Sequence, residues 1–209
     1  MKHVIWDWNG TLYDDVHVCV ESLNSMLDKR GKKPITIEQY MEVFDFPVKQ
    51  VYPKLGFNMD EENWDKMARE YHDEYLSRTH KCRLRHGIRR LLEQMKKSSI
   101  AMSIVSACEI SILTDLIEKT GIKEFFAEIK GLSDLFAASK METAQELMER
   151  IRPNASSVIF IGDTLHDYEI ARKLNCRCVL LTGGHQTEQR LRSAKCPVLC
   201  DVAELEQFL

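Results

Sequence analysis

The chain has 209 residues, 44% of them hydrophobic and 29% charged, a balance that suits a globular fold of one domain or of a core carrying an insertion. A net charge of -3 and a pI near 6.2 leave no basic field of the kind polymeric nucleic acid demands, and no apolar run is long enough to span a bilayer. Seven cysteines, at 19, 82, 108, 176, 178, 196 and 200, are odd in number and mostly sit in apolar segments, as reduced thiols do.

The first residues pass directly into the apolar run Val4-Ile5-Trp6, ended by Asp7, which is expected as a central strand. They carry no signal core or cleavage site, so a cytoplasmic location is expected. From Asp15 to Thr79 the pattern changes to helical periodicity, over Val16 to Leu27, Thr36 to Phe44 and Asn63 to Tyr75, with no convincing strand. Turn signals at Gly31-Lys32-Lys33-Pro34 and Gly56-Phe57-Asn58 divide this stretch, and Thr36 is expected as a helix N-cap. Further on, apolar runs at Ile100 to Val105, Val158 to Ile161, Cys178 to Leu181 and Pro197 to Cys200 alternate with helix-period segments, among them Met141 to Ile151 and Tyr168 to Leu174. That alternation predicts βαβ units, hence the α/β class with a parallel sheet flanked by helices and sites at the strand C-termini. The helical stretch then reads as an inserted unit over residues 15–81, and the core as residues 1–14 and 82–209. Cys176, Cys178, Cys196 and Cys200 match no common zinc spacing and read as buried strand thiols. Gly183-Gly184-His185-Gln186 reads as a turn and helix start near the expected site.

Four short elements fall at expected strand ends. Asp7 follows the first strand, and Gly10-Thr11 supplies a tight turn and a hydroxyl. Ser106 ends the strand Ile100 to Val105 with another small hydroxyl, and Lys140 stands just before a helix, where a cation offsets phosphate charge. Asp163 and Asp167 follow Val158 to Ile161 one helical turn apart, suited to a hard cation. Each element alone is commonplace. Together and in this order they provide a carboxylate nucleophile, phosphate-holding groups and a magnesium site.

The pattern resembles the haloacid dehalogenase superfamily, with its four motifs at Asp7 to Leu12, Ser106, Lys140, and Gly162-Asp163 with Asp167. The resemblance covers nearly the whole chain and implies a Rossmann-like core with a helical cap inserted after the first motif. It implies that Asp7 forms an aspartyl-phosphate, that Thr11, Ser106 and Lys140 hold the phosphate, and that Asp7, Asp163, Asp167 and the Asn9 carbonyl hold Mg2+. It also implies that substrate choice comes from the cap and from Ala107 and its neighbours. Phe44, Phe46, Lys49 and Tyr52 are the cap candidates, and the surroundings of Lys49 are similar to caps of phosphoglycolate-phosphatase-like members. The expected substrate is therefore a small phosphorylated metabolite, handled by a monomer or homodimer.

One departure stands beside the nucleophile. Family phosphatases usually carry a proton-shuttling Asp two residues on, where this chain has Asn9, and general acid–base catalysis is worth ~10²–10⁴-fold. Three readings stay open. Another group, with His166 the nearest in sequence, replaces the acid. Alternatively the Trp-Asn-Gly-Thr context, similar to the phosphonoacetaldehyde hydrolase branch, points to a Schiff base on Lys49. In the third reading the protein binds phosphorylated ligands with little turnover.

Overall fold

The computed structural model describes residues 2–151 and 154–209; Met1, Arg152 and Pro153, which the expected core segments include, lie outside the described residues. β1 (His3–Trp6) is buried along its full length, and just beyond it the chain turns into a two-residue strand β2 (Tyr13–Asp14). β2 pairs antiparallel with β3 (Arg83–Leu84), so the chain leaves and re-enters the sheet-bearing part through one short ribbon. Between the two ribbon strands lie α1 (Val16–Asp28), α2 (Ile37–Val43) and α3 (Trp64–Arg78), with short 3-10 turns and no strand. Thr36 caps α2 through a reciprocal capping box with Gln39. α1 packs along α3, and Arg30 ties them by ion pairs to Glu62 (2.5 Å) and Glu70 (2.8 Å).

After the ribbon come α4 (Ile88–Lys97), β4 (Ala101–Glu109), α5 (Ile110–Thr120), β5 (Glu128–Leu132), α6 (Met141–Ile151), β6 (Val158–Gly162), α7 (Leu165–Lys173), β7 (Arg177–Leu181), α8 (Glu188–Leu191) and β8 (Val198–Leu199). Six strands form one parallel sheet in the order β5-β4-β1-β6-β7-β8, as in Rossmann-like folds. Alternate side chains face opposite sides. Val4 and Trp6 join α4 and α5 in one core cluster, while Ile5 and Phe160 join α6 and α7 in another. The first cluster runs on into the inserted helices through Leu23, Tyr40 and Tyr52.

Two sequence expectations need correction. The strand after Ile100 does not end at Ser106: it runs to Glu109, with its register against β5 shifting between Val105 and Glu109. β5 was not expected, because Glu-Ile-Lys-Gly-Leu on a half-buried sheet edge has no apolar run to announce it. No helix among the described residues is long and apolar enough to cross a membrane, and all seven cysteines are free.

Candidate active site

β1 delivers Asp7 to the C-terminal edge of the sheet, and the Asp7 amide continues the ladder by donating to the Ile161 carbonyl (2.8 Å). The chain then folds back at once, with the Leu12 amide donating to the Trp8 carbonyl (2.9 Å). This turn requires φ of +71° at Gly10, and a Cβ there would collide with the Asp163 carboxylate and the His185 ring. β6, paired beside β1, delivers Asp163. β4, on the other side, delivers Ser106 at the irregular stretch of its pairing, where its hydroxyl accepts from the Cys108 amide (3.0 Å). Lys140 arrives from the loop before α6, fully buried.

The side chains interlock. Lys140 Nζ is paired with Asp7 Oδ1 and lies 2.7 Å from Asp167 Oδ1. Thr11 donates to Asp163 Oδ1 (2.6 Å) and to Asp7 Oδ2 (3.3 Å). Asp163 also accepts the His185 amide (2.6 Å), an approach that only Gly184 permits, because a Cβ there would strike the same carboxylate. Asp167 is the third residue of α7. Its second oxygen accepts from the Thr164 amide (3.0 Å) and hydroxyl (2.7 Å), which orients the first toward Lys140.

Asp7, Asp163 and Asp167 offer carboxylate oxygens within 4.8 Å of one another, all buried. Against Lys140 alone, this leaves about two excess negative charges. Burial, with Asp167 and Asp163 nearby, raises the Asp7 carboxyl well above the usual range despite Lys140, and burial raises Asp163 as well. Burial opposes Asp167 too, but Lys140 and Thr164 hold it low. A cluster short of positive charge, built from hard oxygen donors, fits a divalent cation such as Mg2+. The other group of metal-binding types among the described residues, Asp15, Cys19 and His185, is already paired within itself.

That second group was not anticipated from the sequence. Asp15 is the residue before α1, where an acid normally caps the helix, yet its side chain makes no cap bond. It is fully buried and accepts instead from the Asn9 amide nitrogen (2.6 Å), the Gly10 amide (2.9 Å) and the Tyr75 hydroxyl (2.7 Å). His185 Nε2 lies 3.5 Å from Asp15 Oδ1, the oxygen that also accepts the Gly10 amide, and the Tyr40 hydroxyl is 2.8 Å from His185 Nδ1. Burial alone would lower the His185 imidazole, but Asp15, with Asp163 and Asp7 behind it, lifts it to about 9. Burial would raise Asp15, yet His185, Asn9 and Tyr75 hold it low. The only sequence signal was an acid directly before a helix.

Asp7, Asn9, Ser106, Ala107, Lys140 and His185 face a cavity of about 120 Å³ whose other wall comes from the inserted helices. Tyr40, Phe44, Phe46 and Tyr52 line it, as does Trp64, which packs against Tyr52 and Phe136. Lys49 does not reach it. Its exposed ammonium lies 5.9 Å from the Trp64 ring centroid, because the one-turn helix at Val48–Gln50 points Val48 inward instead. His166 stacks on Phe46 outside the cavity, and burial lowers its imidazole to about 4, which disfavours the charged form. The inserted helices are fastened over the site by Arg190, which donates to the carbonyls of Met41 (3.0 Å) and Phe44 (2.6 Å), and by Gln186, which donates to Phe44 (3.0 Å). A larger open groove of about 1240 Å³ runs beside the ribbon past Arg83, Arg89 and Arg90 and includes none of these groups.

Known proteins resemble this chain in sequence and in fold. A phosphoglycolate phosphatase of Photobacterium profundum is 25% identical over 96% of this chain and 92% of its own length. A predicted phosphatase from Clostridium acetobutylicum superposes with a TM-score of 0.81 at 20% identity, over 99% of this chain and 97% of that one. The Mycobacterium tuberculosis Protein Tyrosine Kinase A gives 0.83 at 19%, over 99% and 97%, so at this distance likeness of structure establishes the fold and not the reaction. The family model for haloacid dehalogenase-like hydrolases matches residues 4–181, and with most of its length so matched the chain belongs to that family.

Proposed function

We propose that this protein is a Mg2+-dependent phosphatase of small phosphorylated metabolites that works through an aspartyl-phosphate on Asp7. The observation that carries this reading is the buried Asp7 carboxylate, paired with Lys140 at the head of a closed cavity and ringed by Asp163 and Asp167. Asp7 attacks phosphorus while Lys140, Thr11 and Ser106 hold the phosphoryl oxygens, positioning that a loose phosphoryl-transfer transition state rewards. Lys140 also opposes the pull of burial and of Asp167 and Asp163 on the Asp7 carboxyl, favouring its ionised form without offsetting them fully. Asp7, Asp163, Asp167 and the Asn9 carbonyl would hold the cation, which neutralises developing phosphoryl charge when bound. The core comprises residues 1–14 and 82–209, and the cap, residues 15–81, closes over the site to exclude water.

Curated relatives of similar length named phosphoglycolate phosphatase support monoester hydrolysis. The exposed position of Lys49 gives no support to a Schiff-base C–P hydrolase, and the intact nucleophile and acid cluster weigh against a binding protein without turnover. The free cysteines support a reducing compartment, the cytoplasm, with the protein as a monomer or homodimer. The test is a phosphate-release screen with Mg2+, run beside Asp7→Asn. Turnover is expected to fall by roughly 10⁴-fold or more in the variant. Activity that survives the substitution refutes the covalent mechanism.

A further inference from the structure

We propose that the substrate is an aryl phosphate, the monoester of a phenol whose single ring fills the cavity beneath the inserted helices. This rests on the phosphatase reading and narrows it, and two independent features carry it: what lines the cavity, and what stands beside the nucleophile.

The cavity opens onto Asp7, Ser106 and Lys140 at one end, and its far walls are almost wholly apolar, with Leu23, Phe44, Val51, Tyr52, Trp64 and Ala68 typical of them. No Arg and no Lys except Lys140 lines it among the described residues, and the Lys140 ammonium is already held between Asp7 and Asp167. The two histidines on the wall supply no free cation. His185 is matched to Asp15, and His72, hydrogen-bonded to the Ala68 carbonyl (2.7 Å), is kept neutral by burial. A leaving group bearing a carboxylate would enter stripped of water and without a counter-ion, which is strongly unfavourable. An apolar ring loses nothing there. The cavity measures about 120 Å³ with its polar end included, less than the roughly 150 Å³ apolar hole that accepts benzene, so it limits the leaving group to a single ring at most, and its aromatic walls offer edge and face contacts.

Beside the nucleophile, the Asn9 amide nitrogen is committed to Asp15 (2.6 Å) and the Tyr75 hydroxyl (3.2 Å), and an amide in that place cannot protonate a departing oxygen. A phenolate needs no protonation, since phenols ionise near 10 as tyrosine does, far more readily than alcohols. The step balances without a proton: an Asp7 oxygen bonds to phosphorus as the P–O(aryl) bond breaks, and the bonding pair leaves on the phenolate oxygen. Water then adds to phosphorus and the acyl–phosphate P–O bond breaks. Asp7 returns as carboxylate, and the protons of water are shared between phosphate and phenolate. In that second step the Asp7 carboxylate leaves without being protonated, and the attacking water gives its proton to a phosphoryl oxygen. The step is common to all substrates.

The test compares kcat/KM with Mg2+ for phenyl phosphate, 4-nitrophenyl phosphate, acetyl phosphate and phosphoglycolate, each with wild type and Asp7→Asn. Phenyl phosphate is expected to exceed phosphoglycolate by about 10²-fold or more. It is also expected to exceed acetyl phosphate by about 10-fold, although acetate is the better leaving group, because only the ring fills the cavity. The two aryl esters should share one kcat, set by hydrolysis of the common phosphoenzyme. Filling the cavity with Ala68→Phe should cut the phenyl-to-acetyl efficiency ratio about 10-fold or more, and phenol, unlike glycolate, should inhibit competitively in wild type. Phosphoglycolate matching or exceeding phenyl phosphate overturns the aryl assignment while leaving the phosphatase reading intact. Acetyl phosphate matching phenyl phosphate, or glycolate inhibiting as well as phenol, removes the role of the cavity. No phosphate release from any of the four, or release that survives Asp7→Asn, refutes the underlying phosphatase reading instead.

Discussion

Gly10 sits at the tightest point of the candidate site. Its φ of +71° costs a residue with a Cβ about 1 kcal/mol or more, and the added atom meets the Asp163 carboxylate and the His185 ring. Gly10→Ala is therefore expected to lower stability by about 1–3 kcal/mol in denaturant titration and to cut phosphate release more than that loss explains. The buried Asp15–His185 pair sets a pH window. His185 holds its proton up to about 9 when folded, against 6.5 in an unfolded chain, so its contribution is complete below pH 6.5 and disappears as pH rises to about 9. Denaturation midpoints of metal-free protein should fall across that interval, and His185→Gln should flatten the fall. A wild-type curve that is flat from 6.5 to 9 contradicts the pairing. At this scale the convergence of Asp7, Thr11 and Asp163 was legible, because each lies just past a strand end. The sequence was silent on Asp15, Tyr75 and Tyr40, which meet His185 only because α1, α2 and α3 fold over the sheet. Lys49 was misplaced for the same reason: the direction of a one-turn helix is set by what packs beneath it.

Among the elements, α2 carries Tyr40 onto the cavity wall and is tethered at its end from outside the inserted segment. It is only seven residues long, and the carbonyl that ends it at Phe44 is held by Arg190 and Gln186 from the loop after β7 and the start of α8. Gln186 at the same time accepts from the Leu165 amide (2.8 Å), tying the end of α2 to the start of α7, which carries Asp167. Arg190→Ala is expected to cost about 1–3 kcal/mol of local stability, read as faster hydrogen exchange at the Tyr40 and Phe44 amides, with the strands unaffected. Equal acceleration in β1 would show global destabilisation instead. Thr36 declared the start of α2 in the sequence through a side chain acting on its own backbone. The partners that end it are about 140 residues further along the chain and left no local trace. The long strands were likewise legible because a strand covered on both faces must be apolar throughout, and the half-buried edge strand β5 escaped by the same rule.

For the whole molecule, the sheet and its two apolar clusters are a platform that holds an unfavourable charge cluster at one edge. Metal-free protein should consequently melt below the Mg2+-loaded form, by about 2.7 kcal/mol when the ion is at 100 times its Kd. In EDTA, Asp7→Asn should melt above wild type, because one of three crowded carboxylates has lost its charge. A variant that melts lower without metal would mean that the Lys140 pairing outweighs the repulsion. The α/β class and the inserted helices were legible because periodicity is a property of the local chain. The seam between them was not, since it is made of side chains brought together from both.

Trp64 stands half-buried on the cavity wall, while Trp6 and Trp8 are fully enclosed on either side of Asp7, and these are the three tryptophans of the chain. The protein thus carries its own optical probes. A ring seated in the cavity displaces solvent from Trp64 and shifts its emission to the blue, whereas events at Asp7 reach the two enclosed indoles. Replacing Trp64 by Phe separates the signals, so occupancy of the cavity and of the acid cluster can be followed by fluorescence with no turnover taking place.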